Sequence, residues 1–403
     1  HCAGYEAYAE EAMRWTPDRV EAVTGVSHAG VESLGDALVE YGDSVFMMGI
    51  GLNKGLQGAE SVRAVSLIPA LLGESRGFYY TNSRGRYLSG DLEGKTLTGR
   101  AQRVVSQISV GERLKAGEFR FVYVKGMNPA LTLPDSGSVG AGLRRDDVFL
   151  VVHDTHLTET CRLADVVLPA AIYLEKEDIV LSDSHPYVRK ACRAVEPWGM
   201  SRGEVWAMRE LARRVGVTES WVYGDPWAAA GRALEEAFTG GGYRDLMDGS
   251  TVRLRMRPLD EYQTPSGRLE FFSTAAGDGV SPLPSQMDLS RAPDEYVLIS
   301  SSLPKYTHTQ FRDVYGEIPL RVWVNPVDAE RHGVEEGSEV TLFNENGRLR
   351  LTAFVTDHVP RGVLWAPRQL VDGEGNLQNS LTPGVPQLIG GGPGYNSTRV
   401  RIL

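Results

Sequence analysis

Residues 151–177 read VVHDTHLTETCRLADVVLPAAIYLEKE. The apolar run from Val148 to Val152 passes into the polar pair His153-Asp154, and Asp165-Val166-Val167-Leu168-Pro169 repeats that grammar further along. Upstream, Phe121-Val122-Tyr123-Val124 enters Gly126-Met127-Asn128-Pro129, and Val45-Phe46-Met47-Met48 enters Gly49-Ile50-Gly51 before a helical stretch from Ala59 to Leu72. Short, continuous apolar runs suit strands covered on both faces. Four of them, each closed by a glycine or polar turn and some separated by helical segments, predict a parallel sheet with helices on its faces. In such sheets ligands sit beyond the carboxyl ends of the strands.

Outward from this core, residues 5–41 carry a helical pattern around Tyr8, Ala12, Met13 and Trp15 that Pro17-Asp18 restarts. Residues 201–216 predict an amphipathic helix with its apolar stripe on Val205, Met208, Leu211 and Val215. From 220 to 290 the chain is rich in Gly, Pro, Ser and Asp and holds one short strand, Arg268 to Phe272. Beyond it the period changes to two, in Glu339 to Phe343 and Arg348 to Phe354, joined by Asn344-Glu345-Asn346-Gly347. The fold class is therefore α/β, with an α/β portion at 1–219, an irregular connection at 220–290 and a compact β-barrel at 291–403. A chain of 403 residues also exceeds what one core usually sustains.

The net charge of −10 would repel a nucleic-acid backbone, and no apolar run approaches the roughly 20 residues that cross a bilayer. No nucleic-acid partner and no membrane span are expected, and a soluble protein is, with a cytoplasmic setting placed ahead of an exported one. Cys2, Cys161 and Cys192 form no CxxC pair and too few thiols for a cluster of their own. The histidines have no HExxH or comparable spacing, so no metal ligated by this chain is expected. The opening His1-Cys2-Ala3-Gly4-Tyr5 reads as a cut inside a longer polypeptide, and an export signal would precede it.

Several positions could carry chemistry. Gly49-Ile50-Gly51-Leu52-Asn53-Lys54 could bring backbone amides to a planar or phosphorylated ligand, and it could equally be a tight turn. Asn128, Thr132 and the pair His153-Asp154 follow strands; a carboxylate such as Asp154 suits the adjacent N1–H and N2–H donors of guanine. Asn128 and Asp154 are also good helix caps. Lys176, in Glu175-Lys176-Glu177, could meet a phosphate as a point charge or simply be solvated. No GxSxG elbow and no phosphate loop of the GxxxxGK[ST] type occurs.

Together, Phe46 to Leu72, VYVKGMNPALT at 122–132 and the stretch at 151–177 resemble the molybdopterin oxidoreductase family of dimethyl sulfoxide reductase, formate dehydrogenase and periplasmic nitrate reductase. Tyr306-Thr307-His308-Thr309-Gln310, Val324-Asn325-Pro326, GVEEG at 333–337 and Asn379-Ser380-Leu381-Thr382 extend the resemblance to nearly the whole chain. It implies a double-psi barrel that helps to clamp two pterin guanine dinucleotides, whose dithiolenes bind molybdenum or tungsten. The positions that match family cofactor contacts are Gly51, Asn53, Lys54, Asn128, Thr132, His153, Asp154, Lys176 and Glu204. The barrel adds Tyr306, His308, Thr309, Asn379, Tyr395 and Asn396. The sequence departs from frequent family residues at Lys54 (Gln), Ser302 (Arg) and Asn396 (Lys).

The resemblance implies that the [4Fe–4S] segment and the residue ligating the metal lie upstream, so this segment alone is expected to be inactive. It further implies oxygen-atom transfer or dehydrogenation of a small-molecule substrate, with an electron-transfer subunit as partner. No catalytic acid, base or nucleophile is identified. The rival is a non-catalytic relative, such as the large peripheral-arm subunit of respiratory complex I, which keeps the fold without the metal.

Overall fold

The computed structural model describes residues 2–74, 77–80, 103–182, 184–258, 261–286 and 291–403. The chain divides into two compact units. One comprises His1–Gly85, Arg257–Leu289 and Gln387–Gly392, and the other Arg86–Met256, Ser290–Pro386 and Pro393–Leu403.

In the larger unit, strands β1 (Phe121–Lys125), β2 (Phe149–Asp154) and β3 (Val166–Pro169) form a parallel sheet in that order. The central strand buries Leu150 and Val152 completely. Helices α1 (Pro129–Thr132) and α2 (Ser136–Leu143) follow β1. Val139 and Leu143 of α2 share a core with Leu114, Leu150 and Val152. The approach of α2 is close at Gly142, where an added Cβ would lie 2.5 Å from Leu114 Cβ, so only glycine fits there.

Helix α3 (Glu204–Arg214) forms where the sequence places it, but it presents a different face. Its buried residues are Ala207 and Ala212, whereas Val205, Met208 and Leu211 are 47%, 39% and 39% exposed. Small side chains let this helix dock closely, and the larger apolar stripe points outward. Part of the segment expected to be irregular is ordered. Asp225 caps Pro226–Leu234 by accepting from the amides of Trp227 and Ala228, with Pro226 set at the first turn. Leu234, Phe238 and Leu246 then pack with Val188 and Val252.

The same unit holds a closed six-stranded barrel of β4 (Tyr296–Ser301), β5 (Arg321–Val324), β6 (Glu339–Asn344), β7 (Gly347–Val355), β8 (Val363–Pro367) and β9 (Thr398–Ile402). The strand order is β4-β8-β5-β7-β6-β9. The pairs β4–β8 and β5–β7 are parallel and the others antiparallel, as in a double-psi barrel. The β6–β7 hairpin closes at Asn344 and Gly347, as its sequence predicts. Asn344 Oδ1 accepts from the amides of Asn346 and Gly347, and its Nδ2 donates to the carbonyls of Leu381 and Arg399 at 2.8 Å. Alternation along β7 turns Leu349, Leu351 and Ala353 into the barrel core and leaves Arg348 and Arg350 outside.

In the smaller unit, Phe46–Met47 pairs in parallel with Phe78–Tyr79. The fourth strand expected in the parallel sheet is therefore part of a separate two-stranded ladder. The turn Ile50–Lys54 follows it and rests on the helix Gly58–Ser66. A Cβ at Gly58 would meet the carbonyl oxygen of Leu52 at 2.3 Å. Cys2–Ala3 pairs in parallel with Leu269–Glu270, and Tyr5 and Tyr8 close over the buried Phe271 ring at 5.8 and 5.1 Å.

Candidate functional site

The sheet delivers its polar residues at the carboxyl ends of its strands. His153, next to last in β2, is buried, and bonds through Nδ1 to the Tyr123 hydroxyl at 2.9 Å and through Nε2 to the Arg202 carbonyl at 3.1 Å. Next to it, Asp154 accepts from the Thr155 amide with Oδ1 at 2.7 Å, while Oδ2 has no partner among the described residues. Beyond β3, Lys176 donates to Glu204 Oε1 at 2.6 Å, and Lys125 reaches the same oxygen at 3.6 Å. Partial burial pushes the Glu204 carboxyl up, but the Lys176 hydrogen bond and the two lysine charges outweigh it and hold the group below its ordinary value. Burial, then the Glu204 carboxylate, raises the Tyr123 phenol. Lys176 is set in place by its neighbour. Glu175 is buried and accepts from the amides of Ile172 and Trp198 and from Ser201, which keeps its carboxyl low and fixes the turn.

A second group joins α1 to the barrel. Asn128 is buried but does not cap α1. Its Oδ1 accepts from the amide and hydroxyl of Thr160, and its Nδ2 donates to Glu159 at 2.6 Å, so the side chain clamps the loop after β2. Thr132 returns its hydroxyl to the Asn128 carbonyl at 2.8 Å. From the barrel, Asn379 donates to the carbonyls of Leu131 and Thr132 at 3.0 Å, and the Tyr395 hydroxyl donates to Thr132 at 2.8 Å. Burial pushes the Tyr395 phenol up to about 12.

The third group lies at the barrel mouth. Tyr306 donates to the carbonyls of Tyr315 and Glu317 at 3.3 Å, and Asn396 Oδ1 accepts from the Ser300 amide at the end of β4 at 3.0 Å. His308, Phe311 and Gln369 adopt left-handed backbone, with φ of 53°, 70° and 65°. Such conformations are costly for residues other than glycine and cluster at functional sites. Arg312 bridges Glu159 Oε1 at 2.9 Å and the Gln369 carbonyl at 2.8 Å. The buried Arg312 Nε, Arg368 Nε and Gln369 Oε1 have no partner among the described residues. Burial also lowers the Arg368 guanidinium. Orphaned buried groups of this kind cost roughly 1–3 kcal/mol each and call for a polar ligand or ordered water.

Of the positions singled out from sequence, the structure therefore joins Asn128, Thr132, Asn379 and Tyr395 in one hydrogen-bonded set. His153, Asp154, Lys176 and Glu204 gather at the sheet ends, and Tyr306, His308, Thr309 and Asn396 belong to the barrel. Gly51, Asn53 and Lys54 lie in the smaller unit, where Gln387 donates to the carbonyls of Asn53 and Gly55 at 2.7 and 2.6 Å. Gly51 has negative φ, and a Cβ there would touch nothing within 4 Å. Neither backbone strain nor packing requires glycine at that position. Sequence reading missed Tyr123, Lys125, Glu159, Arg312, Arg368 and Gln369. Only the placement of Glu159 and Arg312 beside recognisable motifs hinted at a role, because left-handed backbone at Gln369 leaves no mark in residue type.

The sequence model described as "Molybdopterin oxidoreductase" matches residues 3–214, and that of the "Molydopterin dinucleotide binding domain" matches residues 296–399. The chain is 30% identical over 431 residues to the "Probable oxidoreductase YoaE" of Bacillus subtilis (strain 168), covering 100% of this chain and 62% of that protein. It is 23% identical over 423 residues to "Formate dehydrogenase H" of Escherichia coli (strain K12), covering 91% of this chain and 57% of that one. Among solved structures, "Acetylene Hydratase from Pelobacter acetylenicus" superposes with a TM-score of 0.74 at 17% identity, covering 100% of this chain and 66% of that chain. The last likeness establishes shared fold only.

Proposed function

Since this chain belongs to the molybdopterin oxidoreductase family, we propose that it forms the cofactor-gripping C-terminal part of a molybdenum or tungsten enzyme. That enzyme would carry a bis(pterin guanine dinucleotide) and perform oxygen-atom transfer or dehydrogenation on a small substrate. The chain spans 62% and 57% of the two relatives named above, so the activity is that of the whole protein. The observation that carries the reading is the barrel mouth. Buried, unpartnered Arg312 Nε, Arg368 Nε and Gln369 Oε1 beside three strained residues suit a ligand rich in both acceptors and donors. A pterin edge with its diphosphate has that character.

When bound, such a cofactor supplies the two-electron redox chemistry at its metal. The residues of this chain would bind and orient it. The unpartnered Oδ2 of Asp154 is suited to the N1–H and N2–H donors of guanine. Lys176 would offer its charge to a phosphate from a position fixed by Glu175 and Glu204. Asn128, Asn379 and Tyr395, whose polar atoms bond to protein, would hold the barrel and α1 in register behind the ligand. The metal-ligating residue, a [4Fe–4S] cluster and the electron-transfer partner are assigned to other segments or subunits.

The full-length protein tests this reading. Elemental analysis and fluorescence of oxidised pterin should give one molybdenum or tungsten with two pterins per protein. A metal-free, pterin-free protein from cells that load other enzymes of this family would favour the non-catalytic relative. In the loaded protein, Asp154→Ala should reduce dinucleotide retention with an unchanged circular dichroism spectrum. Full retention would remove Asp154 from the guanine site.

A further inference from the structure

A cavity of about 550 Å³ lies in the larger unit between α2, the loop after β2, the β6–β7 turn and the 371–377 loop. Volumes of that order hold small organic ligands. Its lining includes Arg144, Arg162 and Arg348, and none of these guanidiniums has an ion-pair or hydrogen-bond partner among the described residues. Arg144 folds back over α2, where a Cβ on Gly140 would sit 3.0 Å from its Nη1.

The acids nearby are already committed. Glu159 pairs with Arg312 and accepts from Asn128, and Glu374 pairs with Arg350 at 2.6 Å. Asp372 accepts from the amides of Arg350, Glu374 and Asn376. Arg144, Arg162 and Arg348 thus line the cavity without an ion-pair partner among the described residues, and Glu159, already bonded to Arg312, is the one carboxylate among the lining residues. Ser136, in the same wall, is 0% exposed, and its Oγ has no partner among the described residues. Leu163, Val371 and Leu377 give the wall an aliphatic patch beside the polar Asn346, Asn376 and Ser380, and no aromatic side chain on which a nucleobase could stack lines it.

We propose that this cavity binds a small organic phosphate with a sugar or aliphatic body, its phosphoryl group held by Arg144, Arg162 and Arg348. Guanidinium forks match phosphate oxygens in pairs, and the Ser136 hydroxyl supplies a further donor. The volume exceeds what a bare phosphate fills, so the ester's body covers the aliphatic wall. The cavity adjoins the barrel mouth through Glu159, but Arg144, Arg162 and Arg348 are not among the residues assigned to the pterin, so the proposal stands whether or not that reading holds.

Ribose 5-phosphate, ribose and inorganic phosphate are titrated into the full-length protein by calorimetry. Ribose 5-phosphate binds at one site per chain, more tightly than inorganic phosphate and more weakly as salt is raised, and ribose gives no heat. Arg144→Gln and Arg348→Gln each weaken it about tenfold, the loss expected for a charge-assisted bond. Both arginines are exposed, so thermal midpoint and pterin content stay at wild-type values. Ser136→Ala gives a smaller loss. Absence of binding by ribose 5-phosphate overturns the proposal, as does wild-type affinity in the double arginine variant. Equal affinity for inorganic phosphate also overturns it.

Discussion

The sheet ends and the barrel mouth are both polar, yet they differ in how far their polar atoms are satisfied. At the sheet ends His153, Lys176, Glu175 and Glu204 bond to one another or to backbone, and the ion pair is about one quarter exposed on each side. At the mouth Arg312 and Glu159 are only 16% and 19% exposed, three buried polar atoms have no partner among the described residues, and three residues carry left-handed backbone. In the first region these four side chains are paired, and Asp154 Oδ2 is left without a partner among the described residues. The second leaves buried polar atoms unpaired among the described residues and carries left-handed backbone, an arrangement that folding alone does not reward.

This contrast can be broken by substitution. The largest effect is expected at Arg312→Ala, which strands the Glu159 carboxylate in a poorly solvated place. It should cost about 3 kcal/mol, read as a lowered midpoint in chemical denaturation. Arg312→Lys should recover little, since an ammonium cannot span Glu159 and the Gln369 carbonyl as the guanidinium does. A loss below about 1 kcal/mol would place the mouth on the same footing as the surface.

Tyr395→Phe should cost about 1 kcal/mol, because Thr132 keeps its bond from Asn379. Its pH signature is more telling. The phenol is raised from 10.0 to about 12 in the folded protein, so its contribution is complete below pH 10 and is lost as pH rises toward 12. The variant should lose stability less steeply in that window, as followed by alkaline denaturation. Parallel curves for variant and wild type would contradict the burial of this hydroxyl.

The smallest effect is expected at Glu204→Gln, about 0.5 kcal/mol after solvent screening. Its folded carboxyl is held low, so the stabilisation is present above the unfolded value and fades as pH falls through the folded one. Acid denaturation should therefore become slightly less pH-dependent in the variant. A loss as large as that at Arg312 would erase the distinction between the two regions.

Much of the scaffold is legible in the chain. The runs at 121–124, 148–152 and 165–169 became β1 to β3, and the Asn344–Gly347 turn became the hairpin, because apolar period and turn chemistry are local properties. Period placed helix α3 without deciding which face it buries. Period reports that a helix is amphipathic, whereas the neighbouring surface decides whether Ala207 and Ala212 or Val205 and Leu211 face inward. The motif residues Asn128, Asp154 and Asn379 were found as types, but their partners were not. Asn128 binds Thr160 and Glu159, and Asn379 binds carbonyls far earlier in the chain.

The sequence by itself thus determined the strands, their polar ends, the change of period that announces the barrel and the family likeness, all carried by neighbours along the chain. Tertiary structure alone decided that Phe46–Met47 pairs apart from the sheet, that Arg312 bridges Glu159 and Gln369, and that three arginines without a partner among the described residues share one cavity. Each of those outcomes depends on groups distant in sequence competing for the same space or charge. No local pattern encodes the result of that competition.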